Sequence, residues 1–304
     1  MKILFLGTPE FAATSLNALI NSMHTVVGVV TQPDRALKHG KSEFSAVKQL
    51  ALSAGLEVYQ PIKIRADVER LKAFGADIAV TAAYGQILDS AVINAFPKGI
   101  INVHASLLPK YRGASPIQSV IAAGERVTGV TIMRTELGID TGDILNTVTT
   151  YIGETETAGE LTVRLAELGA KLLVETLDNY DDITPIKQDD SIATHCKMIS
   201  KQEQIIDFSA DSATVVNKIR AISPSPCAKT FIDGEQYKIY RAHVCEHVDG
   251  VVGQVVCTKD KMYIVCGDGA ICVDTIQAPS KRAMDIADFL RGKKFREGIC
   301  AKQS

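Results

Sequence analysis

Asn102 and His104 stand one residue apart at the end of the apolar run Ile100-Ile-Asn-Val-His104, and Asp140 follows 38 positions after Asn102. Residues two apart on a strand point to the same face, so an amide and an imidazole converge on one cleft. Together with a carboxylate they form a minimal set for moving an acyl group. The amide NH2 and a donating imidazole would stabilise an oxyanion as an amine attacks a carbonyl carbon. An imidazole, which ordinarily titrates near neutrality, can also relay the proton. Asp140 would orient His104 or an ordered water. Asp143, in the same Asp140-Thr-Gly-Asp143 run, competes for that role, although a turn-forming Asp at a hairpin suits it as well.

The elements that must position these groups follow from the apolar pattern. Short buried runs alternate with helical periodicity, which marks βαβ units and a largely parallel sheet. Strands are expected at Lys2–Gly7, Val26–Thr31, Val58–Gln60, Asp77–Ala82 and Ile100–His104. Helices are expected at Phe11–Ser22, Ala46–Ser53, Ala66–Phe74 and Ser90–Ala95. Ser106-Leu-Leu-Pro109 with Arg112-Gly113 then puts an apolar wall and a cation at the carboxyl end of the strand, where open α/β sheets bind ligands. Beyond it come a helix over Pro116–Ala123, an antiparallel pair from Gly129–Arg134 and Asp143–Tyr151, and a helix opened by the capping box Thr157-Ala-Gly-Glu160 and running to about Asn179.

After polar Asp181–Asp190 the character changes. Strand plus helix over Ile205–Ala221 precedes short β runs punctuated by Gly, from Lys229–Ile232 to Ala270–Thr275, which suggests a small barrel. The expected class is therefore α/β: a Rossmann-like domain with a mostly parallel sheet over residues 1–184, a linker over 185–204, and a small OB-like β-barrel over 205–304.

Composition narrows the function. With 33 basic and 35 acidic residues among 304, the net charge of −2 excludes coating of nucleic acid by charge alone, while leaving room for a local basic patch. The apolar run Met1–Gly7 is too short for a signal peptide or membrane span, and the protein is expected in the cytoplasm without a membrane partner. Gly7-Thr-Pro-Glu10 is not a G-x-G-x-x-G turn, which argues against a dinucleotide dehydrogenase. The seven cysteines contain no Cys-x-x-Cys pair and are read as free thiols. His243-Val-Cys245-Glu-His247 would share one strand face, but a zinc site recruits a second ligand pair elsewhere. The segment is read as a half-exposed strand, with no metal site expected.

The segment Asn102–Gly113 resembles the signature of the folate-dependent formyltransferases, and Gly129–Met133 with Leu137–Ile144 resembles that family's second signature. Phe5–Ala12, Thr31–Arg35, Ala83–Leu88, Ile206–Phe208 and Ile219–Ala221 are similar to the branch acting on aminoacylated tRNA. The resemblance implies transfer of a formyl group from 10-formyltetrahydrofolate, without a metal, to the α-amino group of methionine on initiator tRNA, by a monomer. It assigns Asn102, His104 and Asp140 to catalysis, since the family motif places its acid before Thr-Gly-Asp. It places Gln86, Ile87, Leu88, Ser106, Leu107, Leu108, Pro109 and Leu137 around the folate, and Arg35, Lys38, His39 and Lys41 on a loop facing tRNA.

Two departures from the family pattern stand out. The loop reads Lys38-His39-Gly40-Lys41 where the family has Arg-Gly-Lys, and a family tryptophan is missing near Pro224-Ser-Pro226. A second basic segment, with Lys281, Arg282, Arg291, Lys293, Lys294 and Arg296, is either a solvated surface or a phosphate contact. Rival readings are a formyltransferase for a small amine, such as glycinamide ribonucleotide or an amino-sugar nucleotide, and a non-catalytic folate- or RNA-binding module. The carboxy-terminal domain argues against the nucleotide-precursor enzyme, and the intact Asn102, His104 and Asp140 argue against the module.

Overall fold

A computed structural model describes residues 1–36, 42–245 and 248–303. They form two compact units. The first comprises residues 1–113, 128–150 and 162–196, and the second comprises 114–127, 151–161 and 197–304. Residues 185–196 fall in the first unit and 197–204 in the second.

The first unit is built from β1 (Lys2–Gly7), α1 (Glu10–Ile20), β2 (Thr25–Val30), β3 (Arg35–Ala36), β4 (Ser42–Glu43), α2 (Ala46–Ser53), β5 (Val58–Tyr59), α3 (Val68–Lys72), β6 (Ile78–Ala82), α4 (Ser90–Ile93), β7 (Ile100–His104) and β8 (Arg112–Gly113). After α5 (Pro116–Ala122), which belongs to the second unit, come β9 (Val127–Arg134), β10 (Ile144–Tyr151), α6 (Ala158–Asp178) and β11 (His195–Cys196). The seven-stranded sheet has the order β10-β9-β7-β6-β1-β2-β5. Its β7, β6, β1, β2 and β5 are parallel, and β9 runs antiparallel to β7. Ile3 to Leu6 of β1 are wholly buried, as expected of a central parallel strand covered on both faces. Gly7 ends β1 where only a glycine fits, since a Cβ there would lie 2.6 Å from the Ala12 Cβ.

The Thr157 capping box forms as expected. The Glu160 carboxylate accepts from the Thr157 backbone N–H (2.9 Å) and hydroxyl (2.8 Å). These bonds, the backbone one foremost, hold the Glu160 carboxyl below its usual range. The helix it opens ends at Asp178.

The second unit adds α7 (Ser212–Ala221), β12 (Ala228–Ile232), β13 (Glu235–Cys245), β14 (Val255–Cys257), β15 (Met262–Val265), β16 (Ala270–Gln277), β17 (Met284–Asp285), α8 (Ile286–Gly292) and β18 (Ala301–Lys302). Where a strand was expected near Ile205, there is only an isolated bridge from Ile205 to Lys229. The sheet runs β14-β15-β16-β13-β12-β18, with β17 on β16. Its two edges meet through Val255 N–H to Ile299 C=O (2.8 Å) and Ala301 N–H to Gly253 C=O (2.7 Å). That closure makes the sheet a barrel and removes its open edges. Buried Tyr237 packs edge-on against Phe289 and Phe295, with centroids 6.0 Å apart in each case.

Of the carboxy-terminal cations, Arg291, Lys293 and Arg296 pair with Asp288, Glu235 and Asp233. All seven cysteines are thiols, and burial pushes the Cys227 thiol up to about 11 and Cys266 to about 12. No helix among the described residues is long and apolar enough to cross a membrane.

Replacing Thr157 with Ala is expected to cost about 1 kcal/mol of stability in urea unfolding at neutral pH. Because the folded Glu160 carboxyl titrates below its unfolded value, the contribution is present above ordinary glutamate titration. It fades as pH falls through the lowered value, so the gap between wild type and variant should narrow in acid.

Candidate active site

The carboxyl ends of β6 and β7 build the first half of the site. Thr81 lies opposite Asn102 across this parallel pair, and its hydroxyl donates to Asn102 Oδ1 at 2.9 Å. An amide oxygen occupied in this way turns the NH2 group to the opposite side. Asn102 is thereby set as a donor.

His104, 5% exposed, is held at both ring nitrogens. Nε2 lies 3.0 Å from the Tyr111 carbonyl, which can only accept, so Nε2 carries the hydrogen. Nδ1 faces Asp140 Oδ2 at 3.5 Å. That separation is longer than a strong hydrogen bond, as is common for catalytic contacts before substrate tightens them. With Nε2 committed to Tyr111, the proton that can move on this ring is the one at Nδ1.

Asp140 sits in the left-handed region (φ 54°) at the head of its loop. Its Oδ2 also accepts from the Gly113 N–H at 2.8 Å. The loop is clamped from behind by Gln188, which is 6% exposed. Gln188 Nε2 donates to the carbonyls of Asp140 (2.9 Å) and Gly142 (2.6 Å). Its Oε1 accepts from Arg112 Nε (3.0 Å) and Nη2 (2.8 Å), and Arg112 Nη2 also reaches Asp190 (2.7 Å). Arg112 is 4% exposed. The cation expected beside the strand end is therefore committed to the loop clamp. Gly113 is required where β8 pairs with β11, since a Cβ there would lie 2.2 Å from the Cys196 carbonyl oxygen.

Asp140, not Asp143, is the carboxylate facing His104; the backbone carbonyl of Asp143 accepts from the Arg134 N–H. Gln188 and Asp190 were missed because their segment reads as polar connector, although Ile186 pairs with Ile144 and continues the fold. The one local signal was the alternation of Ile186 and Gln188.

The loop Ser106–Pro109 is tied to β9 through Thr131, whose hydroxyl donates to the Ser106 carbonyl (2.7 Å) and accepts from the Leu108 N–H (3.2 Å). Leu108 is buried, and Leu88 packs against the core that includes Tyr84 and Val92. Gln86 spans the Ile64 N–H (2.9 Å) and the Pro61 carbonyl (3.1 Å), which orders the loop after β6. Ile87 is 89% exposed, and Leu137 and Ile139 are each 70% exposed. Large apolar side chains left in water on loops beside a cleft are groups a ligand would cover.

Arg35 is exposed, opposite Glu43 in the β3–β4 pair. Lys38, His39 and Lys41 lie outside the described residues. Lys48 bonds to Asp34 (2.6 Å) and Gln60 (2.8 Å). The bond from Lys48, with a second from Gln60 Nε2 to Asp34 Oδ1 (2.8 Å), holds the Asp34 carboxyl below its usual range.

The family described as Formyl transferase matches residues 1–177, and that described as Formyl transferase, C-terminal domain, matches 198–294. A methionyl-tRNA formyltransferase from Lachnospira eligens is 43% identical, with 98% of this chain and 99% of that protein covered. One from Agathobacter rectalis is 41% identical, with 98% of each covered. Among solved structures, WlaRD, a sugar 3N-formyl transferase, superposes with a TM-score of 0.70 at 20% identity, covering 93% of this chain and 99% of that one. HypX from Aquifex aeolicus, solved in complex with tetrahydrofolic acid, superposes with a TM-score of 0.66 at 19% identity, covering 98% of this chain and 49% of that one. Glycinamide ribonucleotide transformylase 1 from Symbiobacterium toebii superposes with a TM-score of 0.54 at 20% identity, covering 62% of this chain and 94% of that one. At these identities the structural likeness is one of fold.

Replacing Gln188 with Leu leaves the Asp140 and Gly142 carbonyls and the buried Arg112 guanidinium short of a partner. A loss of about 1–3 kcal/mol is expected, measured by urea unfolding. A stability equal to wild type would show the clamp to be dispensable.

Proposed function

The chain belongs to the formyl transferase family, and from that membership we propose that it transfers the formyl group of 10-formyltetrahydrofolate to the α-amino group of methionyl initiator tRNA, for the start of protein synthesis. The observation that carries the chemistry is the oriented donor beside an imidazole–carboxylate pair: Asn102 set by Thr81, and His104 facing Asp140. Attack of the amine on the formyl carbon forms the new C–N bond and places negative charge on the formyl oxygen. The Asn102 NH2 group donates to that oxygen. The amine proton passes through His104 Nδ1, held by Asp140, and is delivered to N10 of tetrahydrofolate as the old C–N bond breaks. Because Nε2 is occupied by Tyr111, His104 serves proton transfer and Asn102 is the main oxyanion donor.

The co-substrate is held by Ser106, Leu107, Leu108 and Pro109 on one loop and Gln86, Ile87 and Leu88 on another, with exposed Ile87 and Leu137 closing over it. Residues 1–184 carry the reaction. Residues 205–304, reached through 185–204, bind tRNA together with the loop bearing Arg35, Lys38, His39 and Lys41. Support for a tRNA substrate comes from relatives of that name aligned with 98% of the chain, whereas the glycinamide ribonucleotide enzyme covers 62%. The protein acts as a cytoplasmic monomer without a metal in the reaction.

The direct test is formyl transfer to methionyl initiator tRNA, with free methionine and glycinamide ribonucleotide as alternative acceptors. Transfer only to a small amine would overturn the tRNA assignment. Asn102→Ala should lower kcat by about 10²–10³, the usual cost of one oxyanion donor, and His104→Ala should abolish transfer while folate binding persists. Charge reversal at Lys38 and Lys41 should raise KM for tRNA and leave KM for folate unchanged. Equal effects on both would remove the loop from the tRNA surface.

A further inference from the structure

The barrel of the second unit holds a cluster of side chains that formyl transfer does not use. In the antiparallel β13–β16 pair, His243 lies directly opposite Cys272. Asp274 follows two residues later at a bulge, where β16 carries one residue more than β13 between the Ala242–Val273 and Arg241–Thr275 pairs. His243 Nδ1 is 2.9 Å from Asp274 Oδ1, and one ligand atom from each of the three residues lies within 4.8 Å of the others. The sequence motif around His243 lacked a second pair of ligands elsewhere in the chain. The strand register supplies it, from residues 29 and 31 positions further on.

We propose that His243, Cys272 and Asp274 form a zinc-binding site. One imidazole nitrogen, one thiolate and one carboxylate oxygen match a borderline-soft cation such as Zn2+, whereas Mg2+ and Ca2+ call for oxygen alone. Zinc bonds of about 2.0–2.3 Å place tetrahedral ligands about 3.3–3.6 Å apart. A separation of at most 4.8 Å therefore closes by small side-chain rotations, with no change in the backbone. The placement of the ligands is rigid, because β16 is paired on its other side to β15, with Tyr263 opposite Cys272. Cys272 is 5% exposed, while the His243 and Asp274 side chains are about half exposed. The buried thiol is thus the anchor, and the other two groups form the mouth.

His243 and Asp274 also line a cavity of about 460 Å³ lying wholly within the second unit, together with Asn217, Arg220, Tyr240 and Arg241. The fourth zinc position opens onto this cavity and takes a water molecule. On binding, the Cys272 thiol loses its proton to solvent and its sulfur becomes a metal ligand. No redox step is involved.

The test uses the full-length protein, stripped with a chelator, desalted and titrated with Zn2+ against a chromophoric competitor, and in parallel with Co2+. One equivalent per chain and a cobalt–thiolate charge-transfer band are expected. Cys272→Ser should remove the band and weaken Zn2+ binding by about 100-fold or more, beyond the 10–100-fold that outer-shell changes cost. Asp274→Asn and His243→Gln should each weaken it while keeping the band. A band that survives Cys272→Ser but disappears in Cys245→Ser would overturn the assignment, as would equal binding by wild type and the triple variant. A measurement on the wild type alone guards against a variant that misfolds. Zn2+ should raise its Tm and slow alkylation of Cys272, read by peptide mass spectrometry, without slowing that of exposed Cys257. Unchanged Tm and unchanged alkylation would refute the site.

Discussion

A buried guanidinium must be matched on every side, and in the first unit Arg112 imposes that requirement on the active site. At 4% exposure it has little water to fall back on, so its donors end on Gln188 and Asp190. Leaving a buried charge unpaired costs far more than making the pair gains. Satisfying Arg112 draws Gln188 into place, and the other end of the Gln188 amide holds the carbonyls of Asp140 and Gly142. The carboxylate that faces His104 thus depends on a hydrogen-bond chain that ends at a buried guanidinium.

The other half of the site depends on strand register. Thr81 and Asn102 meet because β6 and β7 are parallel neighbours, and His104 meets Thr131 because β9 returns antiparallel. Thr131 then pins the Ser106–Pro109 loop. A one-residue slip would turn all of these side chains to the opposite face. On the barrel, the pairing of His243 with Cys272 and the bulge at Asp274 bring His243, Cys272 and Asp274 together.

Much of the fold was legible locally. β1, α2 and β7 have the bounds that apolar runs and helix stops indicate, and the Thr157 box opens α6 as its residues predict. Apart from α8, the elements that were missed are short. β3, β4, β8, β11, β17 and β18 span two residues each, too few to carry a period, and they exist only because a partner strand lies alongside. The same reason hid Gln188. Its neighbours form no periodic element, and its role appears only once Ile186 pairs with Ile144.

The amino-acid sequence alone determined the identities and local order of the chemical groups: the amide and imidazole of one strand face, the acid before Thr-Gly-Asp, and the family they mark. These properties rest on short-range periodicity and on side-chain chemistry, which a linear chain displays directly. Tertiary structure decided which end of Asn102 is left to donate, which nitrogen of His104 is committed, and that Arg112 serves a clamp rather than a ligand. It also decided that the ligands absent from the His243 motif come from β16. Each of these outcomes turns on a partner distant in sequence, brought near by strand pairing and buried charge, which no local pattern encodes.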